Sequence, residues 1–265
     1  MDFCSIGSGS SGNCIFAGSD QTGVLIDAGL TGKRIREGVE QLGRKPEELA
    51  GIVVTHEHID HVCGLGVLAR KYHIPIYATE PTIRRIRQIK SLGKIEESLF
   101  RAIRPDEELA LGDLRIRPFR ISHDAACPVG YRVTDGNNSV AVATDMGCYD
   151  EYIVEALSGL DGILLEANHD INMVQVGPYP WPLKQRILGE RGHLSNEHCG
   201  RLLSEILHDQ LKTILLGHLS QDNNYPPLAL ATVDSEITMA DNPYRGDDFP
   251  IAVAPRDTCS KCWHF

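Results

Sequence analysis

Residues 51–61 read Gly-Ile-Val-Val-Thr-His-Glu-His-Ile-Asp-His and are the most informative stretch of this chain. The β-branched apolar run that opens the stretch predicts a buried strand. Three imidazoles and the carboxylate of Asp60 follow within six residues, a crowding that is costly to desolvate unless a cation organises it. In an extended segment residues i and i+2 point the same way, so His56 and His58 can bind one ion. Asp60 and His61 lie one step further and can bind a second ion.

Three later apolar runs also end in a potential metal ligand. The run over 116–122 ends at His123, the run over 140–144 at Asp145, and the run over 214–217 at His218. Each of these residues alone would be an ordinary polar residue in a turn. Taken together with the histidine segment, they predict strands that converge on one metal site at their carboxyl ends.

Length and pattern predict a single α/β domain over residues 1–255, followed by a C-terminal tail over 256–265 that we expect to fray. The tail contains Cys259, Cys262 and His264, but a closed zinc site needs four ligands, so the role of this spacing stays open. Strands are predicted at 3–6, 14–17, 23–27, 51–55, 74–78, 114–122, 130–134, 139–144, 162–166 and 213–217. Helices are predicted at 33–42, 62–72, 81–92, 152–157 and 196–207, the last with Ser195 as its N-cap.

Composition excludes several classes of protein. Hydrophobic residues make up 42% and charged residues 23% of the chain, which excludes intrinsic disorder. We find neither an apolar stretch that could span a membrane nor a secretory signal, and we expect a cytoplasmic protein with no membrane partner. The eight cysteines show no framework spacing and are expected to be reduced thiols. The net charge of −10 means that a nucleic-acid site would need a local basic patch.

The glycine-rich loop over residues 7–12 matches the letters of a dinucleotide-binding fingerprint. That fingerprint requires a helix directly after the glycines, whereas the residues that follow predict a second strand, so no nucleotide cofactor is expected. The loop is either a flexible hairpin connection or a rim loop whose backbone amides and hydroxyls receive a phosphate. The candidate substrate-binding residues of this loop are Ser8, Ser10, Ser11 and Asn13.

The histidine segment and the later strand ends resemble the metallo-β-lactamase fold superfamily, whose His-x-His-x-Asp-His signature is matched at residues 56–61. The resemblance covers nearly the whole chain. Ser122-His123-Asp124 is similar to the phosphodiesterase and tRNA-maturation branch. With the N-terminal loop and Val24–Gly29, the chain looks most like the YycJ/WalJ group, described as 5′→3′ exonucleases on double-stranded DNA. The implied fold is an αββα four-layer sandwich of two facing mixed sheets, with the site at one edge.

The resemblance also implies the cofactors, two divalent metal ions, either zinc or manganese. One ion would be held by His56, His58 and His123, the second by Asp60, His61 and His218, with Asp145 bridging them. Two such ions deprotonate a shared water and neutralise charge on a phosphoryl group.

Three further residues receive roles around this centre. Asp27 matches an aspartate that orients its neighbours, although it could be only a turn residue. His193 and Asp60 are the predicted catalytic residues; His193 would stabilise the transition state or protonate the leaving oxygen, unless it is an ordinary histidine at a helix start. His169 is expected either to support the site or to be structural.

A basic segment lies between residues 81 and 104, where seven basic against two acidic side chains leave a net charge of +5. Its Arg84, Arg85 and Arg87 could line a path for DNA, or form an ordinary solvated face. We therefore predict a metal-dependent phosphodiester hydrolase, specifically a 5′→3′ exonuclease on double-stranded DNA. The alternatives are a PhnP-like phosphodiesterase of small cyclic phosphates and a metal-loaded binding module, which would not need His193. The oligomeric state is not predicted.

Overall fold

The computed structural model describes residues 1–265, which form fourteen strands and nine helices. The strands are β1 (Asp2–Gly7), β2 (Cys14–Gly18), β3 (Gly23–Ile26), β4 (Leu49–Val53), β5 (Ile76–Thr79), β6 (Phe100–Ile103), β7 (Leu109–Leu111), β8 (Leu114–Arg120), β9 (Val129–Thr134), β10 (Ser139–Ala143), β11 (Gly162–Glu166), β12 (Thr213–Gly217), β13 (Ile251–Val253) and β14 (Trp263–His264). The helices are α1 (Gly32–Gln41), α2 (Ile59–Val62), α3 (Leu65–Tyr72), α4 (Glu80–Ile86), α5 (Glu151–Leu157), α6 (Ile171–Val176), α7 (Trp181–Leu188), α8 (Asn196–Ile206) and α9 (Pro226–Met239).

The strands form two mixed sheets of seven strands each. The first has the order β14-β1-β2-β3-β4-β5-β6, and the second has the order β13-β12-β11-β10-β9-β8-β7. Strands β3 to β6 pair in parallel, as do β11 to β13. Residues 1–120, 125–140 and 255–265 form one compact unit, and residues 121–124 and 141–254 form another.

The first unit has a core made by its sheet and the helices that pack on it. Strands β2 and β3 are buried at every position, as expected for strands covered on both faces. Helix α1 begins at its N-cap Thr31, whose side chain accepts a hydrogen bond from the backbone N–H of Arg34. Its Ile35 and Val39 are one helical turn apart, and both pack in the hydrophobic core of this unit.

In the second unit, the parallel strands β11 and β12 pair from Gly162–Thr213 to Glu166–Gly217. Helix α8 lies between them in the chain, and the predicted N-cap is confirmed, because the Ser195 hydroxyl accepts from the backbone N–H of His198. The predicted apolar stripe of this helix is buried. None of the nine helices has the length and apolar character needed to cross a lipid bilayer.

Three local predictions are wrong. The helix predicted over 62–72 is two helices, and the first of them, α2, already begins at Ile59. Asp60 and His61 therefore lie in a helical turn, not in an extended segment. The helix predicted over 81–92 ends at Ile86, and a separate short 3₁₀ turn follows over 90–92.

The C-terminal tail is ordered, so the prediction that it frays is also wrong. Strand β14 pairs antiparallel with β1, with His264 opposite Asp2 and Trp263 opposite Phe3. The tail residues 255–265 belong to the same compact unit as β1. The sequence of the tail alone could not indicate this pairing, because the partner edge lies at the other end of the chain.

Candidate metal centre

In the first unit, the site residues follow directly after the parallel strands β3 and β4. Asp27 is fully buried, and its carboxylate accepts hydrogen bonds from the backbone N–H and the hydroxyl of Thr55, both at 2.8 Å. It also accepts from Nδ1 of His61 at 2.7 Å. The predicted orienting residue thus holds a predicted ligand and the residue that precedes the histidine segment.

The imidazoles of the histidine segment pack against one another. The ring of His56 lies with its centroid 4.6 Å from that of His58 and 4.2 Å from that of His61. Because the Thr55 hydroxyl donates to Asp27, it accepts the hydrogen bond from Nδ1 of His56 at 3.0 Å. In both His56 and His61, Nε2 is then the nitrogen that could bind a cation.

In the second unit, Asp145 lies at the centre of the predicted ligands and of His193. Its Oδ1 is 3.5 Å from Nε2 of His123 and 3.4 Å from Nδ1 of His193, and its Oδ2 is 3.5 Å from Nε2 of His218. Nδ1 of His123 donates to the carbonyl of Gly192 at 2.9 Å, so its Nε2 faces the carboxylate. Asp145 is buried, and this grouping of donors suits a divalent cation.

Glu166 is a site residue that the sequence analysis missed. This fully buried carboxylate ends strand β11, and its Oε1 accepts from Nδ1 of His193 at 2.8 Å and of His218 at 3.0 Å. Its Oε2 accepts from the backbone N–H groups of Met146 and Leu194, at 2.7 and 3.1 Å. A glutamate that closes a wholly apolar strand was the available signal.

The electrostatic environment shifts the pKa values of the imidazoles of the second unit in different directions. Burial lowers the pKa of His123, which keeps the ring in the neutral form that binds metals. Burial also acts to lower the pKa of His193, but the charge and hydrogen bond of Glu166 outweigh it and raise that pKa. Burial opposes the ionised form of Glu166, yet its contacts with His193 and His218 bring its pKa to about 2. His193 is thus the ring best suited to carry a proton.

Backbone strain accumulates at the same residues. Asp27, Asp145 and His218 have φ angles of +63°, +60° and +56°, in the left-handed region. Side chains other than glycine seldom adopt this conformation, and it persists where surrounding contacts hold it. Asp27 and His218 directly follow a strand, and Asp145 lies two residues after the last residue of β10; strain so placed is typical of functional sites.

His169 is buried, and burial lowers its pKa to about 4. Its Nδ1 lies 3.2 Å from the side-chain oxygen of Asn168, whose amide nitrogen donates to the carbonyl of His218 at 2.8 Å. The structure therefore connects His169 to a predicted ligand only through Asn168. Its supporting role stays a prediction.

The glycine-rich loop is a hairpin connection between β1 and β2. The Asn13 side chain holds it closed, accepting from the Ser8 hydroxyl at 2.9 Å and from the backbone N–H of Gly9 at 3.0 Å. The amide nitrogen of Asn13 lies 3.3 Å from Nε2 of His61, so loop and histidine segment are in contact.

An arginine that the sequence analysis did not single out completes this loop. Nη1 of Arg256 donates to the hydroxyls of Ser10 and Ser11, at 3.4 and 3.1 Å, and both hydroxyls are exposed. Arg256 comes from the ordered tail, about 245 positions away in sequence. The loop thus combines two hydroxyls, glycine backbone and a guanidinium.

Neighbouring carboxylates pair with two arginines of the predicted basic segment. Arg84 lies 3.6 Å from Glu80, and Arg87 donates to Glu97 at 2.7 Å and stacks over Phe100. Arg85 is exposed on α4. These pairs are solvent-exposed and weak, so a polyanion could compete for the arginines.

Comparison with known proteins supports the family resemblance. Residues 22–215 match the family model described as β-lactamase superfamily domain. The chain is 40% identical over 255 residues to Exodeoxyribonuclease WalJ of Streptococcus pneumoniae serotype 2, covering 96% of this chain and 94% of that protein. It is 37% identical over 237 residues to Exodeoxyribonuclease YycJ of Bacillus anthracis, covering 89% of each. The crystal structure of the metallo-β-lactamase fold protein YhfI from Bacillus subtilis matches over 99% of each chain, with a TM-score of 0.71 and 17% identity.

The two seven-stranded mixed sheets and the likeness to YhfI confirm the predicted fold class, the α/β metallo-β-lactamase fold with two mixed sheets. The histidine and aspartate clusters, which this fold presents at its strand ends, indicate divalent metal ions.

Proposed function

Because the chain belongs to the β-lactamase superfamily of hydrolytic enzymes, we propose that it is a metal-dependent 5′→3′ exonuclease that acts on double-stranded DNA. Two relatives that match over most of their length are named exodeoxyribonucleases. The observation that carries the proposal is the common orientation of the imidazoles. In His56, His61, His123 and His218, Nδ1 is engaged by an oxygen, so that Nε2 is the metal-binding nitrogen.

The proposed ligand assignment follows the His-x-His-x-Asp-His signature. His56, His58 and His123 would bind one ion, Asp60, His61 and His218 the second, and Asp145 both. The nitrogen-rich set suits zinc, and the two carboxylates also allow manganese. When bound, the ions would act as Lewis acids that activate water and offset charge on the phosphoryl group.

The protein's own residues then manage the protons and the geometry. His193 would donate a proton to the leaving oxygen from Nε2, a role supported by the hydrogen bond between its Nδ1 and Glu166. Glu166 and Asp27 are positioning residues: each holds imidazoles by an Nδ1–H bond, so the rings do not need to reorganise during the reaction.

The substrate contacts belong to the proposal as well. The hydroxyls of Ser10 and Ser11 with the guanidinium of Arg256 would provide donors for a terminal 5′-phosphate, and the Asn13 side chain holds this loop closed through Ser8 and Gly9. Arg84, Arg85 and Arg87 would contact the DNA backbone without reading bases. The cysteines are all free thiols, which fits a reducing cytoplasm.

The test is removal and return of the metal. Chelated protein should release no nucleotides from duplex DNA, and Mn²⁺ or Zn²⁺ should restore release. Asp145→Asn should bind less metal and lose most activity, whereas Asp241→Asn, at an exposed site, should behave like the parent. Full activity of chelated protein, or full metal content and activity in Asp145→Asn, would contradict the proposal. Hydrolysis of cyclic phosphate esters alone would favour a small-molecule phosphodiesterase.

A further inference from the structure

A second cluster of potential metal ligands lies where the two ends of the chain meet. In the β1–β14 ladder, His264 is opposite Asp2 and Trp263 is opposite Phe3. Because side chains alternate across a strand, extending this register by one step brings Cys4 to the side of Cys262, on the face of Asp2 and His264. The pairing thus assembles thiol, imidazole and carboxylate groups from both termini.

The Cys4 thiol lies against the Cys-x-x-Cys segment. Its Sγ is 3.5 Å from the carbonyl oxygen of Ser260 and 3.6 Å from the Ser260 hydroxyl, so the segment that carries Cys259 and Cys262 packs over a third cysteine. Ser260, between them, fixes the segment: its backbone N–H donates to the carbonyl of Ser5 at 2.8 Å, and its hydroxyl accepts from the N–H of Ser5 at 2.9 Å. The segment is therefore held over β1 by backbone contacts, whichever side chains it carries.

The imidazole is oriented as in a metal site. Nδ1 of His264 donates to Oδ1 of Asp2 at 2.6 Å, and a histidine that binds metal through one nitrogen commonly donates to a carboxylate from the other. One ligand atom each from Asp2, Cys262 and His264 lie within 4.8 Å of one another.

We propose that Cys4, Cys259, Cys262 and His264 bind a zinc ion, with Asp2 holding the imidazole of His264. Three thiolates and one imidazole form an established structural zinc set, and such a closed set leaves no position for a substrate. The ion would fasten the tail, which carries Arg256, to the first strand of the sheet.

Cobalt distinguishes this site from the catalytic centre. A thiolate bound to Co²⁺ gives a sulfur-to-metal charge-transfer band in the near ultraviolet, and none of the proposed catalytic ligands is a cysteine. Protein stripped of metal and loaded with Co²⁺ should show this band. Cys259→Ser and Cys262→Ser should lose or strongly weaken it, and each should hold one zinc fewer per chain by elemental analysis. His264→Ala, at a largely exposed side chain, should weaken it without affecting folding.

Two matched controls separate the possibilities. Cys148→Ser, at an exposed thiol outside the cluster, should keep the band, and His58→Ala should keep it while losing metal elsewhere. Absence of the band from the parent protein would overturn the proposal, as would equal zinc content in Cys262→Ser, His264→Ala and the parent. A Cys4–Cys262 disulfide under reducing cytoplasmic conditions, seen as the loss of two hydrogen atoms in the intact mass, would also overturn it.

Discussion

At the residue scale, the site is built from imidazoles whose tautomers are fixed by oxygen acceptors. Asp27 serves one ring in the first unit, and Glu166 serves two in the second. An ionised carboxylate can only accept hydrogen bonds, so each ring must donate from Nδ1. Its Nε2 is then the nitrogen that would bind metal or transfer a proton. Each buried carboxylate also accepts a backbone N–H on its other oxygen, so its orientation is set before any ion binds.

Glu166→Gln tests this positioning role. The amide would place an N–H₂ group against donors, either the two Nδ1–H groups or the N–H groups of Met146 and Leu194. We expect metal affinity or turnover to fall about 10–100-fold with the fold retained. Metal titration with turnover on a small phosphodiester measures both. Parent values for both would show that Glu166 does not position the rings.

His193→Ala separates catalysis from metal binding. If His193 protonates the leaving oxygen, turnover should fall by about 10²–10⁴, the usual contribution of a positioned acid or base. Metal content, measured by elemental analysis, should stay at the parent level because His193 is not among the proposed ligands. A loss of metal in this variant would make His193 a ligand instead.

At the element scale, strand ends could be predicted because apolar runs closed by a histidine or aspartate are visible locally. Asp145 and His218 do follow β10 and β12 closely, as predicted. Helix α9 was not predicted, although Ala229, Val233 and Ile237 recur every four residues on its buried side. The strand β14 and the position of Arg256 could not be predicted, because both depend on a pairing between the two ends of the chain.

The loop between β1 and β2 gives a prediction about DNA ends. If Arg256 binds the terminal phosphate, the parent protein should degrade 5′-phosphorylated duplexes faster than 5′-hydroxyl duplexes. Arg256→Ala should reduce that preference and leave turnover on a small phosphodiester close to the parent value, because the metal ligands are untouched. Arg115→Ala, a matched exposed arginine on β8, serves as control. An unchanged end preference in Arg256→Ala would exclude the loop from phosphate binding.

At the scale of the whole molecule, DNA binding must overcome a net charge of −10. The arginines of and after α4 are the candidates, although Glu80 and Glu97 partly neutralise two of them. Removing Arg84, Arg85 and Arg87 together should make the slope of log affinity against log salt shallower by about 0.9 per lost phosphate contact. Binding should weaken for all sequences alike, and an unchanged slope would make this segment a solvated face.

The central claim, that this fold presents a metal-dependent exonuclease centre, is tested most directly by the order in which labels leave a duplex. One strand carries distinguishable labels at its 5′ and 3′ ends, and products are followed after addition of Mn²⁺ or Zn²⁺. We predict that the 5′ label leaves first, as a mononucleotide, while the 3′ label stays on fragments that shorten progressively. Release of the 3′ label first, internal cuts, or an intact duplex alongside rapid hydrolysis of a cyclic phosphate ester would contradict it.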